Sequence, residues 1–151
     1  MRCGWEPEAR RLLVFEEHSR NKTMPADTGR IVVESLTYAD ESGEDAYYHD
    51  EIVWANDTPD SKVQMATWRR ELGIRVRPAR KARMRRLSYD WLAGLREICI
   101  DARRCPLTWE EFANKEYARD RDGRWVDDIP DGDDHSIDAV RYAMMDDVLR
   151  G

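Results

Sequence analysis

Apolar positions fall in short blocks along this chain, and the spacing within the blocks alternates between the two-residue period of strands and the 3.6-residue period of helices. The opening RCGWEPEARRLLVFEE has an apolar stretch ending at Trp5, a proline-containing turn over residues 6–9 and a second apolar stretch over residues 12–15, which predicts a β-hairpin. Two strands alone are marginally stable in water, so the hairpin requires a neighbour. ADTGRIVVESLTY, residues 26–38, sets Ile31, Val32 and Leu36 behind Asp27 or Thr28 as N-cap and predicts a modest helix that ESGED breaks. In EIVWAND the apolar run over residues 52–55 stops at Asn56-Asp57, the pattern of a buried central strand ending in polar groups.

Residues 60–72 predict a helix with Val63, Ala66 and Trp68 inward, closed by Gly73, and a short strand over residues 74–76 follows. A helix over residues 86–96 is expected to bury Leu87, Trp91, Leu92 and Leu95, with EICIDA as the next strand. After Pro106, LTWEEFANKEY is a short amphipathic helix presenting Leu107 and Phe112, and a charged turn is centred on Asp122-Gly123. The last helix, residues 135–149, repeats Ile137, Val140, Tyr142, Met144 and Val148. Strands alternating with helices imply parallel pairing and helices packed on a sheet, an α/β class. Trp54, Trp68, Trp91 and Trp109 sit in apolar contexts and read as core rather than as base-stacking platforms.

Composition adds limits. The 151 residues fit one domain, residues 1–151, with a real core. Charges at Arg2, Glu6, Glu8, Arg10 and Arg11 interrupt any signal-like start, and no apolar stretch reaches the ~20 residues of a membrane span, so a soluble, unexported protein is expected. Cys3, Cys99 and Cys105 are scattered and form no CxxC pair, which argues against a disulfide framework and a structural zinc site. The net charge of −6 speaks against a nucleic-acid partner until its distribution is seen. IRVRPARKARMRR places Arg75, Arg77, Arg80, Lys81, Arg83, Arg85 and Arg86 together without an acid, while the acidic residues dominate RDGRWVDDIPDGDD. Such a run suits phosphate neutralisation, and equally a solvated loop.

Two places carry candidate chemistry. GDDHSIDAVRYAMM puts Asp134, His135 and Asp138 in the first turn of the last helix, with His135 and Asp138 three apart on one face. Acidic residues there are ordinary caps that complement the helix dipole. Asp138, however, adjoins Ile137 and Val140 on the inner side, where an unpaired carboxylate is costly to desolvate and a metal ion removes the cost. Asp57 ends a predicted strand, and ligands of open α/β sheets bind beyond the carboxyl ends of strands. Asn-Asp-Thr-Pro is also strong turn chemistry in its own right. Two carboxylates meeting there would suit Mg²⁺ or Mn²⁺.

CPLTWEEFANKEYARDRDGRWVDDIPDGDDHSIDAVRYAM closely resembles the C-terminal signature of bacteriophage and prophage terminase large subunits. Its elements are a Cys-Pro-x-Thr-x-x-Glu-Phe segment, a tyrosine-containing strand, a Lys/Arg-Asp-x-x-Gly turn and an Asp-His-x-x-Asp-Ala-x-Arg-Tyr helix. Upstream, WEPEARRLLVFEE, WANDTPDSKV and ELGIRVRPARKA match the family more weakly. The resemblance implies a ribonuclease H-like nuclease domain, a mixed sheet flanked by helices, whose acidic residues hold two divalent ions, Mg²⁺ or Mn²⁺, and which cuts concatemeric viral DNA during packaging. The ions would activate water and stabilise the leaving oxygen. Residue by residue it implies Asp138 as the C-terminal metal ligand, His135 as the neighbouring active-site histidine and Asp57 as the middle ligand, with Asn56 the alternative at that position.

The resemblance places the family's first strand, with its first carboxylate, just before Met1, so the expected sheet is truncated at its N-terminus. No Gly-x-x-x-x-Gly-Lys-Ser/Thr loop occurs, and no ATPase domain is expected in this polypeptide. The implied partners are double-stranded DNA, the portal and the small terminase subunit, with no membrane and no small-molecule cofactor, in the cytoplasm of the bacterial host. The alternative is a catalytically incomplete remnant that only binds DNA or a packaging partner.

Overall fold

The N-terminal hairpin forms as the apolar pattern predicts. In the computed structural model, β1 (Arg2–Glu6) and β2 (Arg11–Glu16) pair antiparallel, with Trp5 opposite Leu12 and Glu6 opposite Arg11. There follow α1 (Pro25–Ser35), β3 (Thr37–Ala39), β4 (Asp45–Tyr47), β5 (Val53–Ala55), α2 (Pro59–Glu71) and β6 (Val76–Pro78). The chain continues through α3 (Met84–Ala93), β7 (Glu97–Ile100), α4 (Pro106–Asn114), α5 (His135–Ala143) and α6 (Met145–Arg150). The structure describes residues 1–19, 25–48, 51–55, 59–79, 83–115, 121–122, 124 and 135–151. These fall into one unit of Met1–His18 with Arg86–Gly151 and a second of Ser19–Arg85.

In the first unit β2 is central, antiparallel to β1 and parallel to β7, so the hairpin receives its neighbour from far along the chain. Leu12 lies opposite Ile98 and Val14 opposite Ile100, and the alternating Leu12 and Val14 are fully buried on one face. An Arg11–Glu97 ion pair of 2.7 Å marks the first rung of the β2–β7 ladder. Trp5 packs its ring 5.0 Å from that of Trp91 on α3. Ile137, Val140, Met144, Met145 and Val148 form a buried stripe along α5 and α6. The expected final helix is therefore two helices interrupted only at Met144 (φ −95°, ψ 16°).

The second unit closes a core of Ala55, Met65, Trp68, Ile74 and Val76, with Val32, Val33, Val53 and Leu72 against it. β5 and β6 are parallel, Val53 opposite Val76, with α2 between them in sequence. Gly29 lets α1 approach α2: a Cβ at this position would sit 2.8 Å from Trp68 Nε1 and closer still to Leu72 Cδ1. Gly73 takes φ +65° after α2, a conformation that favours glycine. No helix among the described residues is long and apolar enough to cross a membrane.

Several details differ from the periodicity reading. The first helix ends at Ser35, and Thr37 and Tyr38 enter a short hairpin with β4. Asp40 Oδ1 accepts from Ser42 N–H, Ser42 O–H and Glu44 N–H, and Gly43 takes φ +81°, which turns the chain where ESGED reads as a plain break. The strand placed at residues 74–76 lies two residues later, because Gly73 and the Ile74 N–H bonded to Trp68 O belong to the helix terminus. Val63, Leu87, Leu107 and Trp109 are exposed, as is Ala66, while Ser61, Met65, Ser88 and Thr108 are buried. On α2 the buried stripe runs Ser61, Met65, Trp68, and on α3 Met84, Ser88, Trp91, Leu92, the i, i+4, i+7 phase of one helical face. Val63, Ala66 and Leu87 lie off that phase despite their apolar character.

Candidate functional site

The last helices of the first unit are held by carboxylates borrowed from elsewhere in the chain. α4 begins with Pro106, which has no N–H to satisfy, so Leu107 and Thr108 present the first orphan donors of the helix. Its N-cap, Cys105, makes no side-chain cap bond. Glu17, just beyond β2, supplies the cap instead: Oε1 accepts from Leu107 N–H at 3.0 Å and Oε2 from Thr108 N–H at 2.9 Å and Thr108 O–H at 2.5 Å. One turn further along α4, Glu111 repeats the device. Its Oε2 accepts the N–H groups of Ser136 at 2.7 Å and Ile137 at 3.0 Å, the first-turn donors of α5. A negative group at each of these helix starts also meets the positive end of the dipole.

This chain of caps fixes the helix that carries His135 and Asp138. His135 opens α5 and is exposed. Asp138 is half-buried, its side chain 28% exposed, and its partner is Arg141 one turn on, whose Nη1 donates to Asp138 Oδ1. Asp138 is thus not an end cap in this structure, and its desolvation is offset from within the helix. Arg141 is itself 5% exposed. Its Nε donates to Ser88 Oγ of α3 at 2.6 Å, and its guanidinium lies 4.9 Å from the Tyr89 ring centroid and 5.9 Å from that of Tyr142. A buried guanidinium that cannot shed its proton needs such partners.

Other candidates are placed less closely. Asn56, Asp57, Arg80 and Lys81 lie outside the described residues. Arg75 and Arg77 flank buried Val76 and are exposed, as alternation along an extended segment requires. Arg83 is exposed at φ +59° before α3, and Arg85 is half-buried. Arg86 is exposed and forms an i,i+4 pair with Asp90 at 2.9 Å. Cys3, Cys99 and Cys105 are unpaired thiols, and burial pushes the Cys3 thiol up to about 12. Among the described residues no group of three or more His, Cys, Asp and Glu side chains is assembled to hold a metal.

Glu17, Thr108, Glu111, Ser88 and Arg141 are the members of this region that sequence reasoning did not single out. A signal existed for three of them: Thr108 and Glu111 are the polar letters of the segment after Cys105-Pro106, spaced three apart at a helix start, and Arg141 is a letter of the final helix motif. Arg141 stood three residues from Asp138, beside buried Val140, a position where a cation needs a reason.

Three comparisons bear on this arrangement. Over 61 residues the chain is 41% identical to the large terminase subunit of Bacillus phage SPP1, a stretch that covers 40% of this chain and 14% of that protein, so only a small part of the relative is spanned. The crystal structure of the g2p (large terminase) nuclease domain from bacteriophage SPP1 with bound Mn superposes with a TM-score of 0.78 at 25% identity, covering 96% of this chain and 76% of that one. The fold is accordingly ribonuclease H-like, mixed sheet and helices. The family model of the terminase RNAseH-like domain matches residues 10–146, and the chain belongs to that family.

Proposed function

We propose that this chain is a divalent-metal-dependent endonuclease domain that cleaves double-stranded viral DNA during genome packaging, with Mg²⁺ or Mn²⁺ as its ion. The observation that carries the reading is Asp138, a half-buried carboxylate on a helix fixed at its start by Glu111, in a chain whose structural relative binds Mn. The donor chemistry fits a hard cation: Arg141 engages Oδ1, and among the described residues Oδ2 accepts no hydrogen bond. Asp138 would hold the ion, with Asp57, or Asn56 in its place, as the second ligand and His135 alongside. A bound divalent ion supplies Lewis acidity to the phosphodiester and a more acidic water. Arg75, Arg77, Arg80, Lys81, Arg83, Arg85 and Arg86 would neutralise backbone phosphates.

The test is nicking of supercoiled plasmid in Mn²⁺ by the parent chain, Asp138→Ala and Asp57→Ala. The expected result is loss in Asp138→Ala exceeding the ~10–100-fold that outer partners of a metal ligand usually contribute. Equal cutting by parent and Asp138→Ala would remove Asp138 from the chemistry.

A second reading, a module that binds DNA or a packaging partner without cutting it, draws on the exposed arginines Arg75, Arg77, Arg83 and Arg86 of the basic segment. Plasmid retention without nicking, salt-sensitive and weakened by Arg75→Ala and Arg77→Ala together, supports that reading instead.

A further inference from the structure

We propose that Arg141 is a positioning residue for Asp138, a fixed cation that holds one carboxylate oxygen so that the other is offered in a single orientation. The inference rests on the proposed function, in which Asp138 is a metal ligand. Its basis is the way Arg141 is itself immobilised. A surface arginine pairing with an i,i+3 aspartate contributes little, because both side chains are free to move. Arg141 is not of that kind. It is 5% exposed, its Nε is bonded to Ser88 Oγ at 2.6 Å, and its Cζ lies 4.9 Å from the Tyr89 ring centroid and 5.9 Å from that of Tyr142. Ser88 and Tyr89 belong to α3, so the guanidinium is anchored to a different helix from the one that carries it. Its Nη1 is thereby a fixed point, and Asp138 Oδ1 is bonded to it.

The arrangement serves orientation more readily than charge balance. A cation beside a metal ligand opposes metal binding by repulsion, so an arginine present only to neutralise Asp138 should lower affinity for a divalent ion. An arginine that orients the ligand should raise it, since outer partners that fix a ligand contribute ~10–100-fold in metal affinity. The two roles predict opposite signs for one measurement.

The experiment is titration of the full chain with Mn²⁺, free ion being read by electron paramagnetic resonance, for the parent, Asp138→Asn, Arg141→Met, Arg141→Lys and Ser88→Ala. Circular dichroism checks folding of each. The expected result is binding lost in Asp138→Asn, weakened about tenfold in Arg141→Met and about threefold in Ser88→Ala, which keeps the charge but frees the guanidinium. Arg141→Lys is expected to recover only a small part of the loss, since its ammonium can still donate to Asp138 but lacks the fork that Ser88 anchors. If Arg141→Met does not fold, Ser88→Ala decides. Unchanged or tighter Mn²⁺ binding in Arg141→Met, or in Ser88→Ala in its stead, with binding still lost in Asp138→Asn, overturns the role of Arg141 and leaves the nuclease reading intact. No Mn²⁺ binding by the parent, or equal binding by Asp138→Asn, overturns the nuclease reading and this inference with it.

Discussion

Each of the two units buries an apolar core, but they differ in how the segments that build it are joined. In the Ser19–Arg85 unit the core is apolar and local in sequence: Trp68, Met65, Ile74, Val76 and Ala55 come from one strand–helix–strand segment and are joined by Val32 and Val33 of the preceding helix. In the unit formed by Met1–His18 and Arg86–Gly151, segments distant in the chain are brought together, and polar side chains lock them. β2 meets β7 across the Arg11–Glu97 pair, Glu17 caps α4, Glu111 caps α5, and Arg141 ties α5 to α3. Apolar burial is tolerant of exact placement, because it scales with area removed from water. Hydrogen bonds to ionised groups depend steeply on distance and angle. The unit carrying Asp138 and His135 is therefore the one in which directional contacts add to apolar burial in specifying geometry, as the proposed role of Asp138 would require.

The sharpest way to break this contrast is to remove the central apolar side chain of the second unit. Trp68 is 6% exposed and is the largest side chain of that cluster. Trp68→Ala is expected to cost about 3–5 kcal/mol in denaturant unfolding, a large part of the stability of an ordinary domain. Protection of the Ile74 and Val76 amides in hydrogen exchange should fall with it. A loss under 1 kcal/mol would mean that the unit is not held by this cluster.

The polar locks should cost less and act more locally. Glu17→Ala leaves Leu107 N–H, Thr108 N–H and the Thr108 hydroxyl without their acceptor in a part-buried place. The expected destabilisation is about 2–3 kcal/mol, the range for hydrogen bonds to a charged group. Glu111→Ala, which orphans only Ser136 and Ile137 N–H, should cost about 1–2 kcal/mol, as loss of a cap does. The discriminating measurement is amide exchange in the first turn of α5: it should accelerate in Glu111→Ala and stay at the parent rate in Trp68→Ala. Equal acceleration in both would erase the distinction between local lock and general core.

The contrast also explains what could be read from the sequence. Apolar blocks revealed β1, β2, β5, β7 and, among the described residues, the helical segments, with α5 and α6 read as one helix, since burial is encoded in residue type and period. Helix phase was harder. Leu87 and Trp109 are apolar yet exposed, whereas Ser88 and Thr108 are buried because each has a polar partner from elsewhere, Arg141 and Glu17. Those partners lie 53 and 91 residues away, and no local pattern records them. The β3–β4 hairpin was hidden for another reason: strands of three residues carry too few side chains to show a period, and the apolar spacing of Ile31, Val32 and Leu36 extends smoothly into Thr37. In the candidate site, Asp138 and His135 were found through a motif, while Arg141, which determines how Asp138 is held, lay inside the same motif without a spatial reason to notice it.

The last effect concerns the half-buried Cys3 thiol of the first unit. Burial raises the Cys3 pKa to about 12 from an ordinary value of 9.0, so the folded state favours the protonated thiol. The stability this contributes is complete below pH 9, where the thiol is protonated folded or unfolded, and is lost progressively as pH rises toward 12, because the unfolded chain releases its proton first. One pH unit into that window is worth about 1 kcal/mol. Cys3→Ala should therefore show a shallower decline in stability than the parent between pH 9 and pH 10.5, the two curves running parallel below pH 8. The difference between the curves isolates Cys3 from the tyrosines and lysines that titrate in the same range. Curves that stay parallel throughout would mean that the half-buried Cys3 thiol titrates in the folded protein much as it does in the unfolded chain.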